Sequence, residues 1–412
     1  MRKYFIAALS ILLTASTCGL AQPKKKEFSY KFYGQVRTDL YYNSRANEET
    51  VDGLFLMYPK DKVYDNDGND INATPNSNFY TLYSRLGVDV TGPMLGRAKT
   101  SAKIEGDFRG SGTSYSTIRL RHAYMNLDWG TSALLIGQTW HPLYGDVAPQ
   151  ILNLNTGAPF QPFSRAPQIR YRYSNKAIQF TGALVWQLQY LSQGPSGKSQ
   201  EYIKKSCIPE VYAGIDYKHE GFLAGVGIEL LSLAPRTQAA GENGDIYKVD
   251  ERITTLSYEA HLKYISKDWF VGAKSVLGSN LTQASGLGGF GISSIDTHTG
   301  KQEYTPIRMS STWMNVVYGR KWKPGIFVGY AKNLGTSDAL IEGTQTYGTG
   351  TNLDQLATAG AELTYNQPHW KFGLEYNYSK AWYGTIQAKN GKVTDTHSVS
   401  NNRIVATAIF MF

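Results

Sequence analysis

Apolar and polar residues alternate along most of this chain in segments of about ten residues. The alternation is clearest at 97–110, where small or apolar side chains at every second position are opposed by charged or hydroxyl side chains: Ala98, Thr100, Ala102, Ile104, Gly106 and Phe108 against Lys99, Ser101, Lys103, Glu105, Asp107 and Arg109. Successive side chains of a β-strand point to opposite faces, so the pattern predicts a strand with one apolar and one polar face. A soluble sandwich strand alternates similarly, but here the pattern covers the whole chain without a helix to supply a core.

Sixteen such segments can be placed, and the links between them are alternately short and long. The predicted strands lie at 29–42, 78–91, 97–110, 116–129, 131–140, 167–174, 177–188, 208–219, 221–232, 252–265, 268–278, 307–320, 325–333, 354–366, 369–379 and 398–412. Short periplasmic turns and long extracellular loops are typical of a barrel that crosses the outer membrane. The predicted fold is therefore all-β, a closed antiparallel transmembrane β-barrel of sixteen strands with no open edge.

The first residues predict an export signal. A basic start and a short apolar core precede a small-x-small pattern that ends at Ala21. We expect a signal peptide at 1–21 and a single barrel at 22–412. A lipoprotein cleaved before Cys18 is an alternative that the neighbouring residues fit poorly. An exported barrel of this kind belongs in the outer membrane of a Gram-negative bacterium, where lipid and lipopolysaccharide surround it.

Composition adds two observations. The chain holds 29 tyrosines, and Tyr suits the membrane interface, where one end of the side chain is apolar and the other is wet. The formal charge of +9 at pH 7 favours anionic partners weakly, but no clustered basic motif of the kind that binds nucleic acid is present in the sequence. We therefore expect small polar or anionic solutes as partners, and no nucleic acid.

The chain resembles the general trimeric porins of Gram-negative bacteria in its strand number, its export signal and the alternating last strand that ends on Phe412. The segments 137–140 (Gly-Gln-Thr-Trp) and 165–170 (Arg-Ala-Pro-Gln-Ile-Arg) look like those of the DcaP-like porins. The resemblance implies a homotrimer, passive diffusion and an assembly signal at Phe412. It also implies that 141–166 folds into the lumen as a constriction. Some DcaP-like proteins carry a coiled-coil segment before the barrel; this chain lacks it, which puts their dicarboxylate preference in doubt here.

Charged residues on the inward faces are the candidate functional residues, because the lumen wall sets the selectivity of such a channel. Basic residues gather in the first half of the chain and acidic ones recur later. The pore-lining candidates are Arg37, Arg85, Lys103, Arg119, Arg121, Arg170, Arg172, Asp146, Glu210, Glu229, Glu259 and Glu362. Opposed charges would create a field across the pore. The alternative is that these residues form salt bridges that only keep the wall solvated.

A mild preference for anions follows from these positions. Arg119 and Arg121 have no acid beside them in sequence, and Asp146 is the one acid of the expected constriction. Turning an arginine toward lipid at mid-depth costs on the order of 2–4 kcal/mol, so the basic residues should face the lumen. The preference should be mild because physiological salt screens charges beyond about 8 Å.

Other chemistry is weakly represented. The run at Asp65, Asp67 and Asp70 resembles a fragment of a Ca²⁺ loop, but its spacing fails the EF-hand pattern, and a plain polar turn is expected. We therefore expect no metal and no cofactor. A substrate-specific channel for an organic acid or oligosaccharide remains an alternative. A barrel enzyme is disfavoured, because the sequence has no Gly-x-Ser-x-Gly motif and its seven histidines are scattered.

Overall fold

The alternating segments form one closed antiparallel barrel. The computed structural model describes residues 27–50, 55–109 and 117–412. Within them the sixteen barrel strands are Ser29–Asn43 (β1), Asn76–Tyr80 continued by Arg85–Thr91 (β2), Lys99–Arg109 (β3), Thr117–Asp128 (β4), Ser132–Trp140 (β5), Arg165–Asn175 (β6), Ile178–Val185 (β7), Glu210–His219 (β8), Phe222–Leu233 (β9), Ile253–Ile265 (β10), Trp269–Ser279 (β11), Gln302–Tyr318 (β12), Trp322–Gly335 (β13), Leu353–Gln367 (β14), Trp370–Ile386 (β15) and Val393–Met411 (β16).

Each strand pairs with its neighbours in chain order, and the last strand pairs with the first. The register of β1 on β16 runs from Gln35 opposite Met411 to Asn43 opposite Arg403. On its other edge β1 pairs with both segments of β2. Both edges of the sheet are therefore used, which satisfies the backbone hydrogen-bonding groups inside a bilayer. The predicted fold class, a closed sixteen-stranded antiparallel barrel, is confirmed.

Alternate side chains divide between the two faces of the wall. The outward positions are apolar or aromatic and strongly exposed in the single chain, as for Phe32, Ile118 and Trp322. The inward positions carry most of the buried charged and amide side chains. An outward apolar band with a polar interior is the arrangement that suits a barrel surrounded by lipid.

The long loops contain secondary structure of their own. Short strand pairs are formed by Asn47–Thr50 with Phe55–Pro59, Gln193–Gly194 with Gly197–Lys198, Gln238–Ala240 with Ile246–Lys248, and Gly288–Ile295 with Tyr347–Thr349 and with β12. Among the described residues, helical structure is limited to Glu201–Ser206 (α1) and the 3₁₀ turn Thr282–Ala284. No helix in the described part of the chain is long and apolar enough to cross a membrane.

Two irregularities change which residues face inward. β2 is interrupted between Tyr80 and Arg85, and Tyr83 in the interruption is buried. β4 has a bulge opposite β3, because Glu105 pairs with His122 while the next residue of β3 pairs with Leu120. The extra residue leaves both Arg121 and His122 buried, where strict alternation would have turned one of them outward.

Strand boundaries differ from the sequence prediction mainly on the side of the long loops. β12 begins at Gln302 rather than 307, and β16 begins at Val393 rather than 398. The extension of β12 pairs with the loop strand Gly288–Ile295, and that of β16 pairs with the end of β15, so both continue the ladder beyond the alternating core that the sequence pattern marks. The predicted signal peptide at 1–21 lies outside the described residues.

Candidate pore and constriction

The long link between β5 and β6, residues 141–164, is named L3 here. The sequence prediction placed its end at 166, but Arg165 and Ala166 already pair with β5 and belong to β6. L3 is apolar in part, and its large side chains are buried: Leu143, Val147, Leu152, Leu154, Phe160 and Phe163. Apolar side chains of this size need a surface to pack on, and for L3 that surface is the inner face of the wall.

The first part of L3 is anchored to β6, β8, β10 and β11. Nε2 of His141 lies 3.0 Å from the Glu210 carboxylate. The ammonium of Lys274 donates to the carbonyl oxygens of Leu143, at 2.5 Å, and of Tyr144, at 3.1 Å. Asp146 receives further contacts from basic side chains of the wall, described below. L3 is therefore fixed at its base by side chains from several strands.

The tip of L3 is held on the opposite side of the barrel by β1, β14 and β15. The Leu152 N–H donates to Glu362 at 2.8 Å and to Glu375 at 2.7 Å, and these two carboxylates lie directly opposite each other in the ladder. Arg37 donates to the Leu152 carbonyl at 2.6 Å. The side chain of Leu152 packs on Gly373, where a Cβ would lie only 2.5 Å from its methyl carbon. The loop thus contacts wall strands on both sides of the lumen.

An aromatic group packs L3 against β4 and β5. The rings of Trp140 and Tyr144 stack with centroids 3.9 Å apart, and Phe163 meets Trp140 edge-on at 5.0 Å. The guanidinium of Arg165 lies 4.7 Å from the Trp140 ring centroid and donates to the hydroxyl of Tyr190 at 3.1 Å. Such contacts add cation–π and ring–ring attraction to the burial of apolar surface.

A second loop also folds inward. Residues 44–75 join β1 to β2, and their hairpin strand Phe55–Pro59 is buried along its whole length. Phe55 meets Phe163 edge-on at 4.8 Å, and the side-chain amide of Asn155 donates to the carbonyl of Leu56 at 2.7 Å. The sequence prediction treated this link as polar and external. The apolar run at 54–58 was the signal that could have identified the inward hairpin.

Basic residues of the first strands are paired with acids of neighbouring strands. Arg119 donates to both carboxylate oxygens of Asp107 at 2.7 Å, and Arg121 donates to Glu105 at 2.5 Å and to Asp107 at 2.6 Å. All four side chains are buried. Arg119 and Arg121 have no acid beside them in sequence, but they do have acids beside them in space, which come from the neighbouring strand β3.

The other basic candidates of this region are paired too. Arg37 forms a bidentate contact with Asp39 at 2.7–3.1 Å. Lys103 lies 3.0 Å from Asp89, and Arg85 lies 3.8 Å from Glu105. Asp39, Asp89, Glu105 and Asp107 are thus members of the wall that the sequence-based selection missed. Parity already places Glu105 and Asp107 on the polar face of their strand, but the basic residues with which they pair follow from the strand register, which a single sequence does not reveal.

A different set of basic side chains, here called the basic cluster, surrounds L3 near the short-turn end of the barrel. It consists of Arg170, Arg172, Lys218 and Lys263. Asp146 lies 3.1 Å from Arg172 and 3.3 Å from Lys218, and its carbonyl accepts from Lys263 at 2.5 Å. Burial alone would raise the pKa of Asp146, but Arg172 and Lys218 together hold it well below its usual value. Arg170 has no carboxylate partner among the described residues.

The acidic candidates occupy the other half of the wall. Glu259 lies 3.0 Å from Lys274 and accepts from Tyr212 at 2.7 Å. Glu210 and Glu229 are fully buried beside the base of L3, and Glu362 holds the L3 tip as described above. The four predicted acids of the wall therefore contact L3 directly or through one intervening side chain, and the fifth, Asp146, belongs to L3 itself. His141 and Lys274, which make the same kind of contact, were not among the predicted site residues.

The acidic run in the first long loop forms a turn. Oδ1 of Asp65 accepts from the backbone amides of Asp67 and Asn69 at 2.9 and 2.8 Å, and hydrogen bonds from Asn69 lower its pKa. Asp70 accepts from Arg45 at 2.7 Å. These carboxylate oxygens are engaged within the loop.

The closed wall, its outward apolar band and its inward polar side chains define a class of protein: the chain is a sixteen-stranded outer-membrane β-barrel of a Gram-negative bacterium with the fold of the porins. Residues 15–187 match the model of the DcaP outer membrane protein family. The resemblance to DcaP-like porins drawn from the sequence is confirmed by this match. No curated protein matches the sequence significantly.

Solved structures share the barrel. The outer membrane channel DcaP of Acinetobacter baumannii is 19% identical, with a TM-score of 0.64 over 94% of this chain and 98% of its own. OmpT of Vibrio cholerae, in a trimer form, is 12% identical with a TM-score of 0.55, over 94% and 100% of the two chains. The anion-selective porin from Comamonas acidovorans is 10% identical with a TM-score of 0.54, over 94% and 100%. At these identities the similarity establishes the fold.

Proposed function

We propose that this barrel is a passive, water-filled channel for small hydrophilic solutes and that L3 is its constriction. The observation that carries the proposal is the position of L3, which is hydrogen-bonded to inward-facing side chains of β1, β11, β14 and β15. A barrel of about sixteen strands encloses an aqueous lumen, and a loop fixed across that lumen sets its narrowest cross-section. Solutes would pass beside L3 without any step that consumes energy.

We further propose a mild preference for anions. The support comes from the basic cluster, where the four basic side chains of Arg170, Arg172, Lys218 and Lys263 lie around Asp146. The five predicted basic residues of β1–β4 contribute less than the sequence suggested, because each has a carboxylate nearby. The positive electrostatic field should therefore be strongest beside Asp146, near the end of the barrel that carries the short turns. The similarity to the anion-selective porin from Comamonas acidovorans agrees with this direction.

The test is the reversal potential of the reconstituted channel across a KCl gradient, together with its single-channel conductance. A passive channel gives ohmic current, and the basic cluster predicts a reversal potential on the side of chloride selectivity. Cation selectivity would contradict the proposed preference. No conductance from a correctly folded barrel would contradict the channel itself.

We propose a homotrimer as the assembly. An outward groove near both ends of the chain is lined by Leu40, Phe79, Leu374 and Ile404, with the small Ala406 at its floor. A groove of this kind can accept side chains of a neighbouring subunit, and OmpT of Vibrio cholerae is known in a trimer form. Mass measurement in mild detergent should give three chains per particle, and a purely monomeric particle would refute this.

A solute-specific channel is a second candidate, favoured by one observation. The hairpin formed by Asn47–Thr50 and Phe55–Pro59 borders a cavity of about 630 Å³, whose lining includes Glu48, Glu49, Arg119, Tyr190 and Lys198. That volume is in the range of small-molecule sites. Concentration-dependent blockade of the current by an organic acid or a sugar, but not by both, would favour the specific channel over the general one.

A further inference from the structure

The base of L3 contains a buried cluster with polar atoms that the anchoring of L3 does not account for. It consists of His141, Glu210 and Glu229, whose possible ligand atoms all lie within 4.8 Å of one another. His141 and Glu210 are each 1% exposed and Glu229 is 0% exposed. The three residues come from the start of L3, from β8 and from β9, so the fold itself brings them together.

Two buried carboxylates at this separation need a compensating positive charge. Taking even one ionised carboxylate out of water costs several kcal/mol unless it is paired. Glu210 is hydrogen-bonded: it receives Nε2 of His141 at 3.0 Å and the amide of Gln187 at 2.8 Å. Glu229 is less satisfied, because its Oε2 atom is buried without a hydrogen-bond partner among the residues that the structure describes. An oxygen atom in this state is available as a ligand for a cation.

Gln283, in the 3₁₀ turn that follows β11, completes the arrangement. Its side-chain amide nitrogen donates to Glu210 at 3.3 Å and to Glu229 at 3.1 Å. Its amide oxygen is buried and has no partner within the described part of the chain. Rotation of the Gln283 side-chain amide by about 180° would exchange its oxygen and nitrogen atoms. The oxygen would then face the cluster and supply a fourth ligand atom.

We propose that His141, Glu210 and Glu229 bind one divalent transition-metal cation of the Zn²⁺ type, with the Gln283 amide oxygen in the fourth position. Zinc takes imidazole nitrogen and carboxylate oxygen ligands at about 2.0–2.2 Å in a tetrahedral arrangement. Calcium is disfavoured, since it takes 6–8 oxygen ligands. Two carboxylates and a neutral imidazole match the charge of one divalent cation, so the bound cluster is neutral.

Coordination through Nε2 of His141 changes the proton arrangement of the ring. In the structure the Leu143 N–H donates to Nδ1 at 3.1 Å, so the proton lies on Nε2 and points to Glu210. Zinc binding moves that proton to Nδ1, and the Leu143 amide must turn toward another acceptor. The first turn of L3 therefore adjusts when the metal binds, and the metal then ties L3 to two wall strands and to the turn that carries Gln283.

The competing explanation is a shared proton. If Glu229 is protonated, it is held beside an ionised Glu210 with no cation present. The two explanations differ in what Glu229→Gln does. An amide mimics the neutral acid and would stabilise a proton-sharing pair, whereas it removes a charged ligand from a metal site.

The experiment is metal analysis of the full-length barrel, stripped with a chelator in detergent, exposed to equal concentrations of Zn²⁺, Mn²⁺ and Ca²⁺, and desalted. We expect one zinc per chain in the wild type, and binding at least ~10-fold weaker in Glu229→Gln and His141→Gln. The matched control is Glu251→Gln, a buried acid whose carboxylate is held by Arg236 in an outer loop and which should leave zinc binding unchanged.

Circular dichroism spectra and melting temperatures of the same samples show whether each variant is folded, which separates loss of the metal site from loss of the barrel. Zinc should raise the melting temperature of the wild type and not that of Glu229→Gln. No zinc in a folded wild type would overturn the proposal, as would calcium in place of zinc or unaltered zinc binding by folded Glu229→Gln. A zinc-free wild type that is stabilised by Glu229→Gln would establish the shared proton. Because the readout is metal content, these outcomes do not depend on whether the barrel conducts.

Discussion

Arg119 lies directly opposite Asp107 in the ladder between β3 and β4, and its Nε and Nη2 atoms donate to the two oxygens of that carboxylate at 2.7 Å each. A bidentate pair of this kind is nearly neutral when seen from the lumen. The arginines of β4 are therefore structural members of the wall, and the charge that solutes meet is set elsewhere, above all by the basic cluster around Asp146.

Charge selection should accordingly respond to Arg170 and not to the Arg119–Asp107 pair. Arg170→Ala should lower the chloride-to-potassium permeability ratio about twofold, because one charge at about 8 Å in water is worth about 0.5 kcal/mol. The double variant Arg119→Ala/Asp107→Ala serves as the matched control, since it removes a bidentate pair with no net charge. Reversal potentials across a KCl gradient measure both. An equal shift in the two variants would show that the pair is not neutral toward the lumen.

Asp146→Asn should change selectivity in the opposite direction. Arg172 and Lys218 keep the pKa of Asp146 below its usual value against the effect of burial, so the group is ionised throughout the range near neutrality. A carboxyl group whose pKa is lowered by folding stabilises the folded state at pH values above its ordinary pKa of about 4. This stabilisation is lost as the pH falls toward the pKa of the group in the folded state. We therefore expect wild-type selectivity to be constant from about pH 5 to 8 and the variant to favour anions more strongly. Reversal potentials across that pH range provide the check, and a wild-type transition near pH 6 would exclude this assignment.

Shortening L3 should widen the channel. Replacing 150–158 with a short glycine–serine link removes the tip that Glu375 and Arg37 hold, and the single-channel conductance should rise. The control is a deletion of the same kind at 241–244, the turn of an outer hairpin that makes no contact with L3 among the described residues. Unchanged conductance after L3 shortening would place the narrowest point elsewhere, most directly at the hairpin strand Phe55–Pro59.

Phe412 should matter for assembly more than for the stability of the finished barrel. Its backbone exchanges two hydrogen bonds with Gly34, at 2.9 and 3.1 Å, while its ring is 55% exposed on the outer surface. Phe412→Ala keeps the backbone bonds and removes little buried area, so the stability should change by less than about 1 kcal/mol. The amount in the outer membrane should nevertheless fall several-fold. Immunoblotting of membrane fractions beside Phe410→Ala tests this, and normal levels of Phe412→Ala would refute it.

The sequence pattern was sufficient for the architecture because membrane strands expose one face to lipid. Ile104 and Ile118 could be placed outward by parity alone, and the sixteen segments follow from repetition of that rule. Parity fails where the backbone departs from regular alternation. The bulge at Arg121 turns His122 inward, and the break in β2 brings Tyr83 into contact with Arg121 at 3.1 Å. Neither departure has a distinctive residue pattern.

The candidate site was only partly predictable for a different reason. Selecting charged residues found both partners of the Arg172–Asp146 pair. Elsewhere it found only one partner, as with Arg37 and Glu210, because pairing depends on which strands are adjacent and in which register. Asp39 and His141 were missed for this reason. Loop paths are harder still, because the apolar content of 54–58 indicates burial without indicating the surface on which those residues pack.

The pairing of β1 with β16 joins the two ends of the chain. Thr407 donates to Asp39 at 2.7 Å across a separation of 368 residues. Contacts of such high sequence separation are reached slowly, because the chain entropy of closing so long a loop is lost before any contact forms. Until β16 arrives, one edge of β1 presents free backbone donors and acceptors to any passing strand. The barrel is therefore sealed in a late event, and a partner that shields this edge during biogenesis would protect the chain from aggregation.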